Sequence, residues 1–368
     1  MQNYKHGGNL LTIATKYGLK PKNIIDFSTN TNPLGPPKEI KTILKKSLSL
    51  VTLYPEPDCQ TLKKAIAPVL QIPQQQITFS NGAVELIYLA VQALQPHTVL
   101  IPGPTFREYE IACRVWKVRV KHLKLSPQRG FIPSLAHLKR GVQGTDLVFL
   151  CNPNNPTGRL IPPGILKPFL EFCFKQSIFV VIDESFLFFH PQWKQLTCIP
   201  ETKKNKRILI IQSLTKFYAI PGLRVGYGVG HPETIAFLSS FQPPWQVNNL
   251  AQAVTSLTFR VKEYARQTRE LIMRERDFLA SYLWKIPCLE VLPSAANFLL
   301  VKLQPPLSAS DVEDQLARRG ILIRNCSNFA FLGDNFIRIA VKKRPENLLL
   351  LKNLEDIIKS KCKEGLTT

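Results

Sequence analysis

The sequence predicts an α/β protein built on a mostly parallel sheet, with a second, smaller α/β domain towards its C-terminus. Three observations carry that prediction. From about residue 75 to 230, short apolar runs alternate with helix-like segments, the order expected where helices connect parallel strands. Those runs are apolar at every position rather than every second one, as in strands covered on both faces. Past Pro243-Pro244 the pattern gives way to one long helical stretch and then to short mixed elements.

Taken in order, residues 30–37 are rich in Pro and Asn and read as an extended loop, leading into a helix over 39–48. An apolar strand ends at Ser80, and a helix over 84–94 follows it. Strands are predicted at 98–101, 146–150, 179–182, 208–211 and 224–227. A continuous helical region spans about 249–284. The rest reads strand, helix, strand, strand, helix. The first of these helices carries a capping-box signature, Ser310 with Glu313, and a stop at Gly320. The last opens at Pro345, a favoured first-turn position, and covers 348–358. The expected division is an N-terminal arm with part of the small domain (1–45), a large domain (46–248), an interdomain helix (249–285) and a C-terminal small domain (286–368).

The chain has 368 residues, 45% hydrophobic and 20% charged, ordinary for a globular enzyme. Its start is polar and reads as no signal peptide. The longest apolar stretches, such as 178–182, are far short of a membrane span, so no membrane association and a cytoplasmic location are expected. None of the eight cysteines forms a CxxC pair, so neither a metal site nor a disulfide framework is expected; they read as reduced thiols filling core. The net charge of +22 is spread along the whole chain. No helix-turn-helix, zinc-finger or RNP signature accompanies it. A dispersed basic surface is therefore favoured over a nucleic-acid partner, and the positive field suits a phosphorylated substrate.

Four places carry chemistry, and they fall at strand ends, where open α/β sheets bind ligands. Ser80-Asn-Gly-Ala83 precedes a helix whose first N–H groups make an anion site, and Gly82 permits close approach. Asn152-Pro-Asn-Asn-Pro-Thr-Gly158 fixes a loop with amides that can point into a cleft. Asp183 ends a buried run; it either caps a helix or holds a protonated ring nitrogen. Ser213-Leu-Thr-Lys216 follows another buried run, eight residues before Arg224. A lysine there loses its proton readily and can form a Schiff base. Ser213 and Arg224 can hold a phosphate.

Together these segments resemble the fold-type I pyridoxal-5′-phosphate (PLP) enzymes, with the aspartate-aminotransferase fold, over nearly the whole chain. The resemblance implies that Lys216 carries the cofactor and Asp183 pairs with its pyridine nitrogen. It implies that Asn155 bonds the ring O3′, that Gly82, Ala83, Ser213 and Arg224 hold the phosphate, and that Phe106 stacks on the ring. Tyr54 matches a tyrosine that reaches a neighbouring subunit's cofactor, so a homodimer is implied. Within the family the chain is similar to the L-threonine-O-3-phosphate decarboxylases of cobalamin biosynthesis. His6-Gly-Gly-Asn9, residues 26–35, Asp183-Glu-Ser-Phe186, residues 323–329 and residues 336–341 carry that similarity. Asn325 and the residue at Ala83 depart from the decarboxylase pattern. Arg324 and Arg338 are then the implied clamps for substrate anions, with His6 and Asn32 closing over the substrate phosphate.

Two other readings compete. A histidinol-phosphate-type aminotransferase would use the same residues with a different substrate orientation. A non-catalytic basic binding protein of the same fold is disfavoured by the intact set Lys216, Asp183, Asn155 and Arg224.

Overall fold

The computed structural model describes residues 7–364. Seven strands form the large sheet: β1 (Ile77–Ser80), β2 (Thr98–Gly103), β3 (Arg119–Lys124), β4 (Leu147–Cys151), β5 (Phe179–Asp183), β6 (Ile208–Ser213) and β7 (Gly226–Gly230). Their order is β1-β7-β6-β5-β4-β2-β3. Neighbours from β6 to β3 are parallel, and β7 runs antiparallel to both β1 and β6. One edge of the sheet therefore gathers the carboxyl ends of β1, β2, β4, β5 and β6 and the start of β7. Strands β4, β5 and β6 are buried at every residue, because helices cover both faces. Strand β3 lies at the margin and is buried nowhere, so a search for apolar runs passes over it.

The second sheet is antiparallel, in the order Arg324–Asn325, Phe336–Ala340, Phe298–Leu303, Leu289–Val291. A two-residue strand at Ile25–Asp26 pairs in parallel with Ile321–Leu322. That pairing lays residues 26–30 between the two sheets.

Three local expectations are corrected. The run at 224–227 is strand only from Gly226; Arg224 sits before it with φ +54°. The helical region at 249–284 is two helices, Asn249–Thr258 and Lys262–Leu283. At the break Val261 leaves helical backbone, with φ −82° and ψ 63°, and Phe259 packs its ring near Phe188, Tyr218 and Tyr227. The predicted capping box is also displaced. The helix is Ala309–Arg318, Ser308 is its cap, accepting from the Asp311 N–H at 3.1 Å, and the Ser310 hydroxyl turns to Asp334. The helix begins too early for Ser310 to serve.

Candidate active site

A cavity of about 270 Å³ lies over the carboxyl edge of the large sheet, facing the second sheet. Its floor is Asp183, the last residue of β5. The Tyr109 hydroxyl donates to one carboxylate oxygen at 2.8 Å and the Ser185 N–H to the other at 2.9 Å. Burial pushes the Asp183 carboxyl up; Ser185, Tyr109 and then Lys216 oppose that shift. Tyr109 itself is buried and stacked on Phe149, so the carboxylate is held from a rigid platform. Asp183 therefore caps no helix.

Strand β6 delivers Ser213, Thr215 and Lys216 to the same cavity. Burial, followed by Arg338 and Arg224, lowers the Lys216 ammonium to about 8, while Asp183 and Asp26 pull the other way. Removing charge from water and placing cations beside it both favour the neutral amine.

Gly82 opens the helix Ala83–Leu94 with φ +82°. A Cβ there would lie 2.5 Å from Arg224 Nη2, so glycine, which takes this φ freely, leaves room for the guanidinium at the helix start. Gly226 does the equivalent for the backbone: a Cβ would stand 2.5 Å from the Ala83 nitrogen. Helix start, Arg224 and Ser213 thus converge, an arrangement that suits a phosphate.

In the 152–158 loop, Asn154 does the fastening: its amide donates to Pro104 O and Thr157, and its carbonyl accepts from Thr105. Asn155 is left to line the cavity, where its Oδ1 accepts from Arg338.

The opposite wall carries Arg324 and Arg338. They are register partners on adjacent antiparallel strands, so both side chains leave the sheet from one face. Both are buried, at 8% and 6% exposure. Arg338 donates to Ser28 O at 2.6 Å and to Asn155, lies over the Phe298 ring, and has its Nε buried without a partner. Arg324 donates to Asn325 O and to Asn328 Oδ1 at 2.7 Å. All these acceptors are neutral. Burial lowers the Arg338 guanidinium to about 10, so it keeps its charge at neutral pH.

The cavity thus unites Gly82, Ala83, Phe106, Asn155, Asp183, Ser213, Lys216, Arg224, Arg324 and Arg338, with Phe186 beside them. Two expected residues, Tyr54 and Asn32, stand elsewhere. His6 lies outside the described residues. Tyr54 is 82% exposed and packs against Trp245. Asn32 is corrected: it does not line the cavity. Its side-chain Nδ2 lies 2.8–2.9 Å from Phe217 O, the Tyr264 hydroxyl and Thr268 Oγ1, and its backbone N–H donates to Lys216 O, so its polar groups are engaged in holding the lysine segment. Tyr109, Ser28 and Thr215 were missed by sequence reasoning. Tyr109 had a readable signal, standing three residues after Phe106 at a helix start, where i and i+3 share a face.

The sequence matches the aminotransferase class I and II family over residues 22–352. It is 33% identical to the threonine-phosphate decarboxylase of Salmonella typhimurium, over 97% of each chain. The histidinol-phosphate aminotransferase of Clostridium acetobutylicum superposes with a TM-score of 0.85 at 30% identity, covering 91% of this chain and 99% of that one. The L-threonine-O-3-phosphate decarboxylase of Porphyromonas gingivalis gives 0.81 at 27% identity, over 90% and 99%. The fold is aspartate-aminotransferase-like. The family's cofactor, PLP, fits the residues present. Asp183 is a carboxylate whose pKa burial raises against the opposing pull of Ser185, Tyr109 and Lys216, and a protonated pyridine nitrogen would give it a further opposite charge. From a lysine made weakly basic by burial, a carboxylate fixed beneath it and a matching sequence across most of its length, it follows that this chain belongs to the class I and II aminotransferase family of PLP enzymes.

Proposed function

We propose that the chain decarboxylates L-threonine O-3-phosphate to (R)-1-aminopropan-2-yl phosphate, a step of cobalamin biosynthesis. The observation that carries this reading is the arginine wall. With Arg224 assigned to the cofactor phosphate, Arg324 and Arg338 remain, both buried and bonded only to neutral acceptors. A buried charge with no counter-charge bonded to it is costly, on the order of 3–5 kcal/mol. A substrate bearing a carboxylate and a phosphate removes that cost. The relationship to the Salmonella decarboxylase supports the same choice.

When bound, the cofactor supplies an electron sink conjugated with the substrate nitrogen. Asp183, braced by Tyr109 and Ser185, would hold the ring nitrogen. Arg338, held by Asn155 and Ser28 and close enough to depress Lys216, takes the α-carboxylate. Arg324 takes the phosphate. Lys216 has a fraction of neutral amine near pH 7–8 and can accept and return a proton at Nζ. Phe186, edge-on to Phe298 at 5.0 Å, lines the site with apolar surface and excludes water. Carbon dioxide leaves and one proton replaces it at Cα. The active unit in this reading is a homodimer, with Tyr54 reaching the partner's cofactor; the exposed Leu48, Val51, Leu53, Tyr54 and Trp245 supply an apolar surface for it.

The second reading, a histidinol-phosphate aminotransferase, rests on the Clostridium structure. One experiment separates them: incubation of the PLP-loaded enzyme with L-threonine phosphate, with and without 2-oxoglutarate. Carbon dioxide and aminopropanol phosphate formed without the oxo acid support decarboxylation. Strict dependence on the oxo acid, with glutamate as product, overturns it.

A further inference from the structure

The same cavity contains a cation to which the reading above gives no task. Arg107 follows Phe106, sits at the cap position of the helix Glu108–Val115, and is half-buried. It lines the cavity together with Arg324, Asn328 and Phe329. Among the described residues, Asp183 is the one carboxylate lining that space, and it belongs to the floor beside Lys216. Glu313, which favours the charge on Arg324, lines the neighbouring cavity instead. Arg107 is near enough to Arg324 to disfavour its charge, an effect that adds to that of burial. A dianion bound between them would face a guanidinium from each wall of the cavity.

The charges of the substrate then decide the assignment. An α-carboxylate carries one negative charge and a phosphate close to two. Arg338 matches the first. Arg324 alone leaves the second half-compensated. We infer that Arg107 and Arg324 form a two-arginine clamp on the substrate's distal dianion, and that Arg107 sets the preference for phosphorylated over unphosphorylated amines. This rests on the reading that the substrate is a phosphorylated amine, but not on which bond is broken. Planar guanidinium groups suit such a clamp, because each offers paired N–H donors to phosphate oxygens.

The test uses the PLP-loaded enzyme and reads binding as well as turnover. O-Phosphoethanolamine carries the amine and the phosphate but no carboxylate to lose; ethanolamine lacks both anions. Their dissociation constants are read from the change in the cofactor's visible absorption. L-Threonine phosphate and L-threonine give KM and kcat. One charge-assisted contact corresponds to roughly 10- to 100-fold in affinity. Arg107→Ala should weaken O-phosphoethanolamine and raise the KM for threonine phosphate by that factor. It should leave ethanolamine within about twofold of wild type and retain PLP with an unchanged spectrum. Arg107→Lys should recover part of the loss. If Arg107→Ala weakens phosphorylated and unphosphorylated amines equally, or weakens neither, the clamp is overturned. A wild type that prefers phosphorylated amines through Arg107 yet releases no carbon dioxide would sink the decarboxylase reading and leave the clamp standing.

Discussion

Along the large-sheet wall of the cavity, Asp183 stands at the end of β5, and Ser213 and Lys216 stand at and just past the end of β6. On the second-sheet wall, Arg324 and Arg338 face the cavity because two strands hold them in register. The first wall adapts its charge to burial: the Lys216 ammonium falls to about 8. The second cannot, because even the lowered guanidinium of Arg338 stays protonated at neutral pH. The first wall therefore carries the group suited to moving protons, and the second two cations that stay charged for holding anions.

The largest break in that division is Lys216→Ala. Turnover should fall by at least about 10⁴-fold, and borohydride should no longer fix PLP to the protein; fixation at another lysine in the wild type would refute the assignment. Arg338→Ala attacks the other wall. It should lower kcat/KM by roughly 10²- to 10³-fold while PLP remains bound, and loss of the cofactor instead would show that the two walls are not independent.

Titration sharpens the contrast. In the cofactor-free protein, Lys216 is neutral above about pH 8 when folded but protonated up to about pH 10.5 when unfolded. The unfolded chain binds the extra proton across that window, so stability rises with pH there, and the full penalty persists below it. Lys216→Met should remove a rise on the order of 3 kcal/mol. Denaturant midpoints at about pH 7.5 and about pH 10 would show it; parallel shifts in variant and wild type would contradict it. Tyr109→Phe should have a smaller effect, about tenfold in kcat, by releasing one oxygen of Asp183. A matching change in the pH dependence of the cofactor's absorption should accompany it. Smallest is Tyr54→Phe, expected to weaken PLP retention a few-fold without unfolding. A fully active monomer in sedimentation at assay concentration would exclude its role across a dimer.

The same two walls differ in how far the sequence reveals them. Buried parallel strands announce themselves as apolar runs, and a polar residue at the end of such a run is conspicuous, so Asp183 and Lys216 were legible from local pattern. Arg224 was legible as a residue but not as a conformation: neither its φ of +54° nor the room Gly82 leaves for its guanidinium shows in a local pattern. Strand β3 escaped because its exposed face carries lysine and arginine. The pairing of Arg324 with Arg338 rests on register between strands separated by a loop, which no local pattern encodes. Asn32 misled for a related reason. Its sequence neighbours lie near the site, but its amide turns towards Tyr264 and Thr268 on a helix more than 200 residues later.

That asparagine has a mechanical consequence. Through its backbone it grips the carbonyl of Lys216; through its side chain it grips Phe217 and the long helix Lys262–Leu283. Three distant stretches of chain are riveted at a single amide. The reactive lysine is thereby given a fixed pivot, and its travel is confined to the reach of its own four methylenes. Asn32→Asp would turn a donor into an acceptor facing the Phe217 carbonyl, and the pivot would come loose before any atom of the cavity wall had changed.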